Sequence, residues 1–317
     1  MKLSLSWIKD FVNIPEDMDL KKLAYDLTMS TVEVEDVEYL ARRFDHMVVG
    51  VIEKIEAHPN ADKLRVCKVD IGNGEIKDIV CGGINLEEGM RVAVSCPGAV
   101  VRWHGEGEPV VIKNSKLRGV ESFGMICASD EIGLGDLFPA SQEGEILDLS
   151  DFAVPAGTSL AEALDMDDVL LEIDNKSMTN RPDLWGHYGI AREIAALYNL
   201  ELAEIKPFET DVQSDFKVEI LDPDRCTRYI GVEMTGVAVK PSPYRMQNRI
   251  WKAGMRPINA LVDITNYVML ATGNPTHAFD ADNITDHIVV RHASEGEKLV
   301  LLNDKEIDLC SDDLVIT

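Results

Sequence analysis

Long apolar runs are missing from this sequence of 317 residues, and none approaches the roughly 20 residues that a membrane-spanning helix needs. The N-terminus also lacks the basic-then-apolar order of a secretory signal. No CxxC pair occurs, so a zinc site is not predicted. Wide cysteine spacing in a long chain favours reduced, mostly buried thiols and a cytoplasmic location. The six cysteines are Cys67, Cys81, Cys96, Cys127, Cys226 and Cys310.

Basic residues are scarce: 31 Lys and Arg stand against 56 Asp and Glu, which gives a net charge of −25. The excess is uneven, because Glu121–Asp174 holds 14 acidic residues and no Lys or Arg. Just before it, Lys113, Lys116 and Arg118 form a basic cluster. Phosphate contacts come from Lys and Arg, so nucleic-acid binding is expected only on a local face. An acidic solvated surface with no nucleic-acid role is the alternative.

Five short β-rich runs lie between residues 44 and 150, separated by Gly, Pro and Asn clusters. Such spacing predicts a small barrel rather than helical layers. The runs are Met47–Ala57, Leu64–Val69, Ile76–Cys81, Arg91–Ser95 and Val110–Ile112.

The segments on either side of the barrel predict one discontinuous domain. Ser6 and Asp19 are expected to cap two helices before a strand, and a further helix is expected to start within Asn180–Asp183. We therefore predict an α/β domain of residues 1–40 plus 151–205, into which a barrel domain of residues 41–150 is inserted. Residues 206–317 follow, after a polar boundary at 206–215.

Residues 206–317 alternate strands with two helices. The predicted helices open at Ser242-Pro243 and Pro257, and close at Gly254 and Gly273. The final strand stops without a cap or polar tail, so the chain is expected to be a piece of a longer protein. The predicted fold class is α+β multidomain.

Four motifs of the barrel occur in an order that resembles the OB-fold tRNA-binding domain of several aminoacyl-tRNA synthetases and their accessory proteins. They are His58–Leu64, Val80–Asn85, Lys113–Val120 and Ser122–Cys127. Such barrels pair basic side chains with phosphates and place polar loop groups near bases. The alternative is that these cations only solvate the barrel. The candidate tRNA-binding residues are Lys63, Arg65, Asn85, Lys113, Lys116, Arg118, Ser122 and Met125.

Met255–Val268 and Gly273–Asp280 resemble the editing domain of the bacterial phenylalanine–tRNA ligase β-subunit family. Ser4–Ile8 and Asn180–Asp183 also match that family, so the resemblance covers the whole chain. It implies a cytoplasmic heterotetramer of two α and two β subunits. There the α subunits charge tRNA with Phe using ATP and Mg2+, while the β subunits hold tRNA and hydrolyse Tyr-tRNA.

The resemblance places Arg256, Pro275 and His277 in the editing pocket. A pocket for Phe rejects the added hydroxyl of Tyr only weakly, so a second, hydrogen-bonding site must discriminate. Alternatively, Arg256 closes the preceding helix and His277 satisfies a buried loop. Asp280 is expected to be a structural turn residue.

Two rival functions are a free-standing tRNA-binding module without catalysis and an editing hydrolase that acts in trans. The sequence shows no P-loop, class II synthetase motif or adenylate signature. The family's editing pocket also continues beyond residue 317, including the acidic residue that reads the tyrosyl hydroxyl. Ligands for ATP and Mg2+ are therefore not expected here, and the chain alone is expected neither to charge nor to edit efficiently.

Overall fold

The computed structural model describes residues 1–208, 216–301 and 303–317. Most of the predicted boundary at 206–215 lies outside these ranges. The alternation after residue 205 also predicts a strand over 298–302, and its last residue, Leu302, lies outside them too. The strands are β1 Lys2–Ser4, β2 Val34–Tyr39, β3 Met47–Ala57, β4 Arg65–Asp70, β5 Ile76–Cys81, β6 Arg91–Ser95, β7 Val100–Val101, β8 Val110–Val111, β9 Ser115–Leu117, β10 Val120–Ser122, β11 Met125–Ile126, β12 Val169–Ile173, β13 Val218–Ile220, β14 Ile288–His292, β15 Lys298–Val300, β16 Glu306–Asp308 and β17 Leu314–Ile316. The helices are α1 Leu5–Ile8, α2 Leu20–Ser30, α3 Leu160–Ala163, α4 His187–Tyr198, α5 Tyr244–Lys252 and α6 Ala260–Thr272.

Contacts divide the chain into two compact units. The first unit is Met1–Glu204 with Pro241–Thr276, and the second is Ile205–Lys240 with His277–Thr317. Thus α5 and α6 pack in the first unit, whereas the sequence analysis grouped them with everything after residue 205. The predicted domain limits stay a prediction, because compact units and family domains need not coincide.

A three-stranded antiparallel sheet collects strands from before and after the barrel. Strand β12 lies between β1 and β2, and Tyr39 pairs with Val169. At the same point the Leu40 N–H donates to the Asp168 carbonyl at 2.9 Å. The chain therefore enters and leaves the barrel at one place. Helices α1, α2 and α4 bury their apolar sides with this sheet in one core that includes Leu3, Ile8, Leu23, Leu27, Leu171, Ile190 and Ile194.

Helix starts in this part follow capping chemistry. The Asp19 carboxylate accepts the Lys21 N–H at 2.9 Å, which confirms the predicted cap of α2. The predicted cap at Ser6 is wrong: Ser4 caps α1 by accepting the Trp7 N–H at 3.1 Å. The helix predicted to start within Asn180–Asp183 begins at His187, after a separate turn of 3₁₀ helix.

The barrel is a five-stranded antiparallel sheet in the order β11-β6-β3-β4-β5. The segment just before β11 closes onto the opposite edge strand, β5: the Val80 N–H donates to Ser122 Oγ at 3.0 Å and the Phe123 N–H donates to the Asp78 carbonyl at 2.9 Å. Three predicted strands, β3, β5 and β6, have the bounds expected. The predicted fifth strand is wrong: Val110–Val111 pairs with Val100–Val101 outside the barrel, and the fifth barrel strand is β11.

Strand β3 faces two cores, as the alternation of side chains along a strand requires. Ile52 belongs to the barrel interior with Cys67 and Val92. Met47 and Val49 face the opposite way, into a second core. That second core also contains Leu160, Leu164, Met166 and Leu170, and Tyr244 and Trp251 of α5 pack against it.

Helices α5 and α6 are fixed in the first unit by an aromatic stack and a buried ion pair. The Trp7 ring lies between His187 and Tyr267, with ring centroids 4.1 and 4.5 Å away. Lys252 Nζ lies 3.1 Å from an Asp168 carboxylate oxygen, and both side chains are 2% exposed. Helix α6 begins after an Asn259 cap rather than at Pro257.

The second unit holds a small mixed sheet and a hairpin. Strand β14 pairs in parallel with β13 and antiparallel with β17, and β15 pairs with β16. The whole chain is thus of mixed α/β type with a nearly closed barrel. In the described ranges, none of the helices could traverse a lipid bilayer.

Candidate nucleic-acid interface

Two loops of the barrel are joined by hydrogen bonds of His58 and Asn60. The Asn60 N–H donates to His58 Nδ1 at 3.1 Å, so the imidazole proton sits on Nε2 and is donated to the Leu117 carbonyl at 3.1 Å. Asn60 Nδ2 donates to the Arg118 carbonyl at 2.9 Å. The loop that begins at His58 is therefore held against the turn between β9 and β10.

That turn has two residues, because Leu117 pairs directly with Val120. Arg118 and Gly119 both have positive φ, 45° and 96°, as a primed hairpin turn requires. A Cβ added at Gly119 would lie 3.3 Å from Asn60 Nδ2. The backbone of Arg118 is consequently fixed by the turn and by Asn60, while its side chain stays exposed.

These two loops, the first residue of β4, the segment leading into β9 and β9 itself present cations that we call the basic rim. The basic rim consists of Lys63, Arg65, Lys113, Lys116 and Arg118, and all five are exposed. The guanidinium of Arg65 donates to the Asp62 and Leu64 carbonyls at 2.9 and 3.0 Å. Within the described part of the chain, no rim residue forms an ion pair. Glu121 is the acidic residue opposite Lys116 in the hairpin register.

Other barrel lysines differ, because each has a carboxylate partner. Lys54 pairs with Glu56, Lys68 with Asp78 and Lys77 with Glu75, at 2.7, 2.9 and 2.8 Å. Their charge is compensated within the protein. At the rim, a phosphate backbone would displace only counter-ions and solvent. At these three lysines it would have to displace a carboxylate of the protein.

The three uncharged or polar candidates have structural contacts instead. Ser122 is 1% exposed, and its hydroxyl accepts the Val80 N–H and donates to the Gly124 carbonyl. A base or ribose therefore cannot reach Ser122, which closes the barrel. The Asn85 amide donates to the Ile146 carbonyl at 3.0 Å and accepts the Ile146 N–H at 2.9 Å. Met125 is half-buried and packs against the second core.

The editing candidates are exposed residues in two units. Arg256 and Pro275 are exposed in the first unit, and His277 in the second. The end of α5 is closed by backbone, since the Met255 N–H donates to the Ile250 carbonyl at 3.1 Å. Arg256 makes no hydrogen bond or ion pair among the described residues, so it does not close that helix.

His277 and its neighbours belong to an exposed loop of the second unit. The His277 ring lies 6.2 Å from that of Phe279, tilted by 32°, and is not buried as the structural alternative required. The Asp280 carboxylate accepts the Asp282 N–H at 3.2 Å and caps a short 3₁₀ turn. Asp280 is thus a structural turn residue, as predicted.

Two cysteine thiols of the barrel, Cys67 and Cys127, are buried and protonated. Burial raises the pKa of the Cys67 and Cys127 thiols to about 12, so neither is a nucleophile at neutral pH. Across the described ranges, no group of three His, Cys, Asp or Glu side chains is arranged to hold a metal ion.

His58 and Asn60 are the positioning residues that the sequence analysis did not assign. Both stand in the motif His58–Leu64, and a His-Pro-Asn run before a strand was the available signal. What the sequence could not give is their partner: the Leu117 and Arg118 carbonyls lie about sixty residues further along the chain.

Two family models match the chain. Residues 47–158 match the model described as "Putative tRNA binding domain", and residues 225–317 match "B3/4 domain". The first range contains the whole basic rim, and the second contains Arg256, Pro275 and His277.

Curated relatives match over nearly the whole chain. A phenylalanine--tRNA ligase beta subunit of Pectobacterium atrosepticum is 41% identical over 320 aligned residues, which cover 100% of this chain and 38% of that protein. The same subunit of Latilactobacillus sakei is 39% identical, covering 100% and 39%. That of Cupriavidus pinatubonensis is 40% identical, covering 98% and 37%. The chain thus spans under two fifths of the length of these relatives, and the predicted family resemblance is confirmed.

Proposed function

Because homology to phenylalanine–tRNA ligase β subunits extends along the whole chain, we propose that the chain is the part of such a subunit that binds tRNA and contributes to editing. The barrel holds tRNA through the basic rim, and residues around His277 serve the hydrolysis of Tyr-tRNA. Charging of tRNA with Phe takes place with an α subunit, in a cytoplasmic heterotetramer of two α and two β subunits. The residues that use ATP and Mg2+ belong to that larger assembly.

The tRNA-binding role is supported by barrel topology and by charge. Numbered along the chain, the barrel strands have the order 5-4-1-2-3 with contact between strands 3 and 5, which is a Greek-key arrangement of the OB type. Barrels of this type bind nucleic acid on one face and its bordering loops. The basic rim occupies such loops, and its cations have no carboxylate partner among the residues that the structure describes. This uncompensated rim on a pre-formed scaffold is the observation that carries the proposal.

The editing role is supported by the exposure and chemistry of three residues within the matched B3/4 range. The Arg256 guanidinium is a fork that suits a phosphate or carbonyl of the tRNA 3′ end. His277 orients the hydrolytic water or the ester, since a neutral imidazole can donate a hydrogen bond through one ring nitrogen and accept one through the other. Pro275 stiffens the backbone just before His277.

The test uses the longer protein that carries this chain, co-expressed with a phenylalanine–tRNA ligase α subunit. We expect ATP-dependent charging of tRNA with Phe and hydrolysis of preformed Tyr-tRNA. His277→Ala should slow hydrolysis by roughly a hundredfold, the loss typical of one general acid–base group, and leave charging within about twofold. The matched control is His287→Ala in the same unit, whose ring is held by Asp286 and Glu219.

Equal loss of charging and hydrolysis in the His277 variant would assign His277 a structural role instead. No charging by the co-expressed pair would refute the ligase proposal. If tRNA then still bound to the barrel, the non-catalytic tRNA-binding module would remain as the function.

A further inference from the structure

A cavity of about 320 Å³ lies where the chain enters and leaves the barrel. Tyr39 and Arg42 line it from the entering segment, Asp167 and Asp168 from the returning segment, and Ser6 and Lys9 from the N-terminal helix α1 and its end. The two segments are joined there by the bond from the Leu40 N–H to the Asp168 carbonyl. We call this cavity the neck site.

The acidic charge of Asp168 is compensated inside the protein. Its carboxylate accepts from the Ser4 hydroxyl at 2.6 Å, from the Ser6 hydroxyl at 2.7 Å and from the Ser6 N–H at 3.0 Å. Lys252 Nζ is its ion-pair partner at 3.1 Å. Asp168 therefore adds little negative potential to the cavity, and the exposed Asp167 is the one acidic group there without such compensation.

Lys9 and Arg42, in contrast, have no carboxylate partner in the described ranges, and both are exposed. The Arg42 guanidinium stacks over the Tyr39 ring at 4.5 Å from its centroid, which limits its conformational freedom before any ligand arrives. The adjacent Arg43 serves as the comparison, because its Nε and one of its Nη atoms donate to the Glu38 carboxylate. In a chain with a net charge of −25, two uncompensated cations beside one cavity indicate an anion site.

We propose that the neck site binds a phosphate group, carried either by a mononucleotide or by an RNA strand. A guanidinium fork and an ammonium together match phosphate. The Tyr39–Arg42 stack adds a planar surface of the kind on which bases stack. The volume lies at the lower end of small-molecule pockets, which are about 300–1,000 Å³. This site is separate from the basic rim and goes beyond the proposed function.

A ligand in the neck site would link the barrel to the three-stranded sheet next to it. A phosphate held by Arg42 and Lys9 touches the segment entering the barrel and the helix α1 that packs on the returning strand. Occupancy therefore braces the barrel against the three-stranded sheet. Protection of the Leu40 amide from hydrogen exchange is the local readout.

The experiment measures binding affinity by isothermal titration calorimetry of this chain with AMP, adenosine, inorganic phosphate and a short single-stranded oligoribonucleotide. The protein carries Gln in place of all five cations of the basic rim, so that binding of RNA at the rim does not affect the result. We expect saturable AMP binding, no adenosine binding, and AMP affinity about tenfold lower in Arg42→Gln and in Lys9→Gln. Arg43→Gln is the control and should leave the affinity unchanged.

The oligoribonucleotide identifies the source of the phosphate. Binding at least tenfold tighter than AMP assigns the site to an RNA strand, and binding no tighter than AMP assigns it to a mononucleotide. The proposal is overturned if none of the phosphate ligands binds saturably, if Arg42→Gln and Lys9→Gln bind AMP like the parent, or if Arg43→Gln loses as much affinity. Thermal unfolding verifies that each variant, changed at an exposed residue, is folded.

Discussion

Neutralising three cations of the basic rim should change the salt dependence of tRNA binding. The variant is the triple substitution Lys113→Gln, Lys116→Gln and Arg118→Gln. All three side chains are exposed and unpaired in the described ranges, so the fold should tolerate them. Each cation that contacts a phosphate releases bound counter-ions, and the slope of log K against log salt counts those contacts.

The size of the effect follows from the number of rim residues. Five contacts predict a slope between roughly −3.5 and −4.5, taking about 0.7 for single strands and 0.9 for duplex per phosphate. From about 50 to about 200 mM salt, parental binding should weaken roughly 130- to 500-fold. With two contacts left, the slope falls to roughly −1.4 to −1.8, and the weakening to only about 7- to 12-fold.

The assay is fluorescence anisotropy of labelled tRNA at several salt concentrations. The matched control is the triple variant Lys54→Gln, Lys68→Gln and Lys77→Gln, which removes the same charge from the same barrel at lysines that already have carboxylate partners. Its slope should stay within about one unit of the parental slope. Equal slopes in the two triple variants would show that only net charge matters, and would refute the rim.

Three further perturbations test the packing that supports the rim. Lys252→Met leaves the Asp168 carboxylate buried without its ion-pair partner, and the free energy of unfolding, measured with urea, should fall by about 3–5 kcal/mol; an unchanged value would mean that the serine contacts alone suffice. Burial lowers the pKa of His187 to about 4 from 6.5, so folding favours the neutral ring. This contribution is fully present above pH 6.5, and about 3 kcal/mol of the free energy of unfolding should be lost as the pH falls to about 4. His187→Gln should abolish this slope in urea titrations across that range, and a persisting slope would assign it to other groups. Ser122→Ala leaves the Val80 N–H unpaired and should cost about 1–3 kcal/mol of stability with tRNA affinity unchanged; a selective loss of tRNA affinity would restore the role first predicted for Ser122.

Strands and caps that depend on local signals could be predicted from the sequence. The bounds of β3, β5 and β6 follow from β-rich runs between turn residues, and Asp19 caps α2 because an acidic residue precedes a helical apolar stripe. The fifth barrel strand was missed because β11 has only two residues, whereas Val110–Ile112 has the stronger β pattern. Val110 and Val111 instead form a hairpin with Val100 and Val101, outside the barrel.

The remaining errors come from contacts between residues far apart in the sequence. Ser4 and Ser6 are equally good caps by residue type, and the Asp168 carboxylate, which engages both hydroxyls, lies more than 160 residues away. The burial of Ser122 depends on strand β5 meeting it across the barrel seam. In the candidate site, the identity of the cations could be predicted from the sequence. The hydrogen bond from Asn60 that holds the turn at Arg118 could not.

The second core, described with strand β3, has a consequence for how the barrel can be handled as a module. Tyr244 of α5 stacks on Phe138 and packs edge-on against Phe152, and its hydroxyl donates to the Leu164 carbonyl at 2.8 Å. Residues from both sides of the barrel thus share one interior with it. A fragment trimmed to residues 47–158 would expose that interior to water and would be prone to self-association. In the intact chain, a nucleic acid bound to the barrel would have a fixed position relative to α5, because the barrel and α5 share this core.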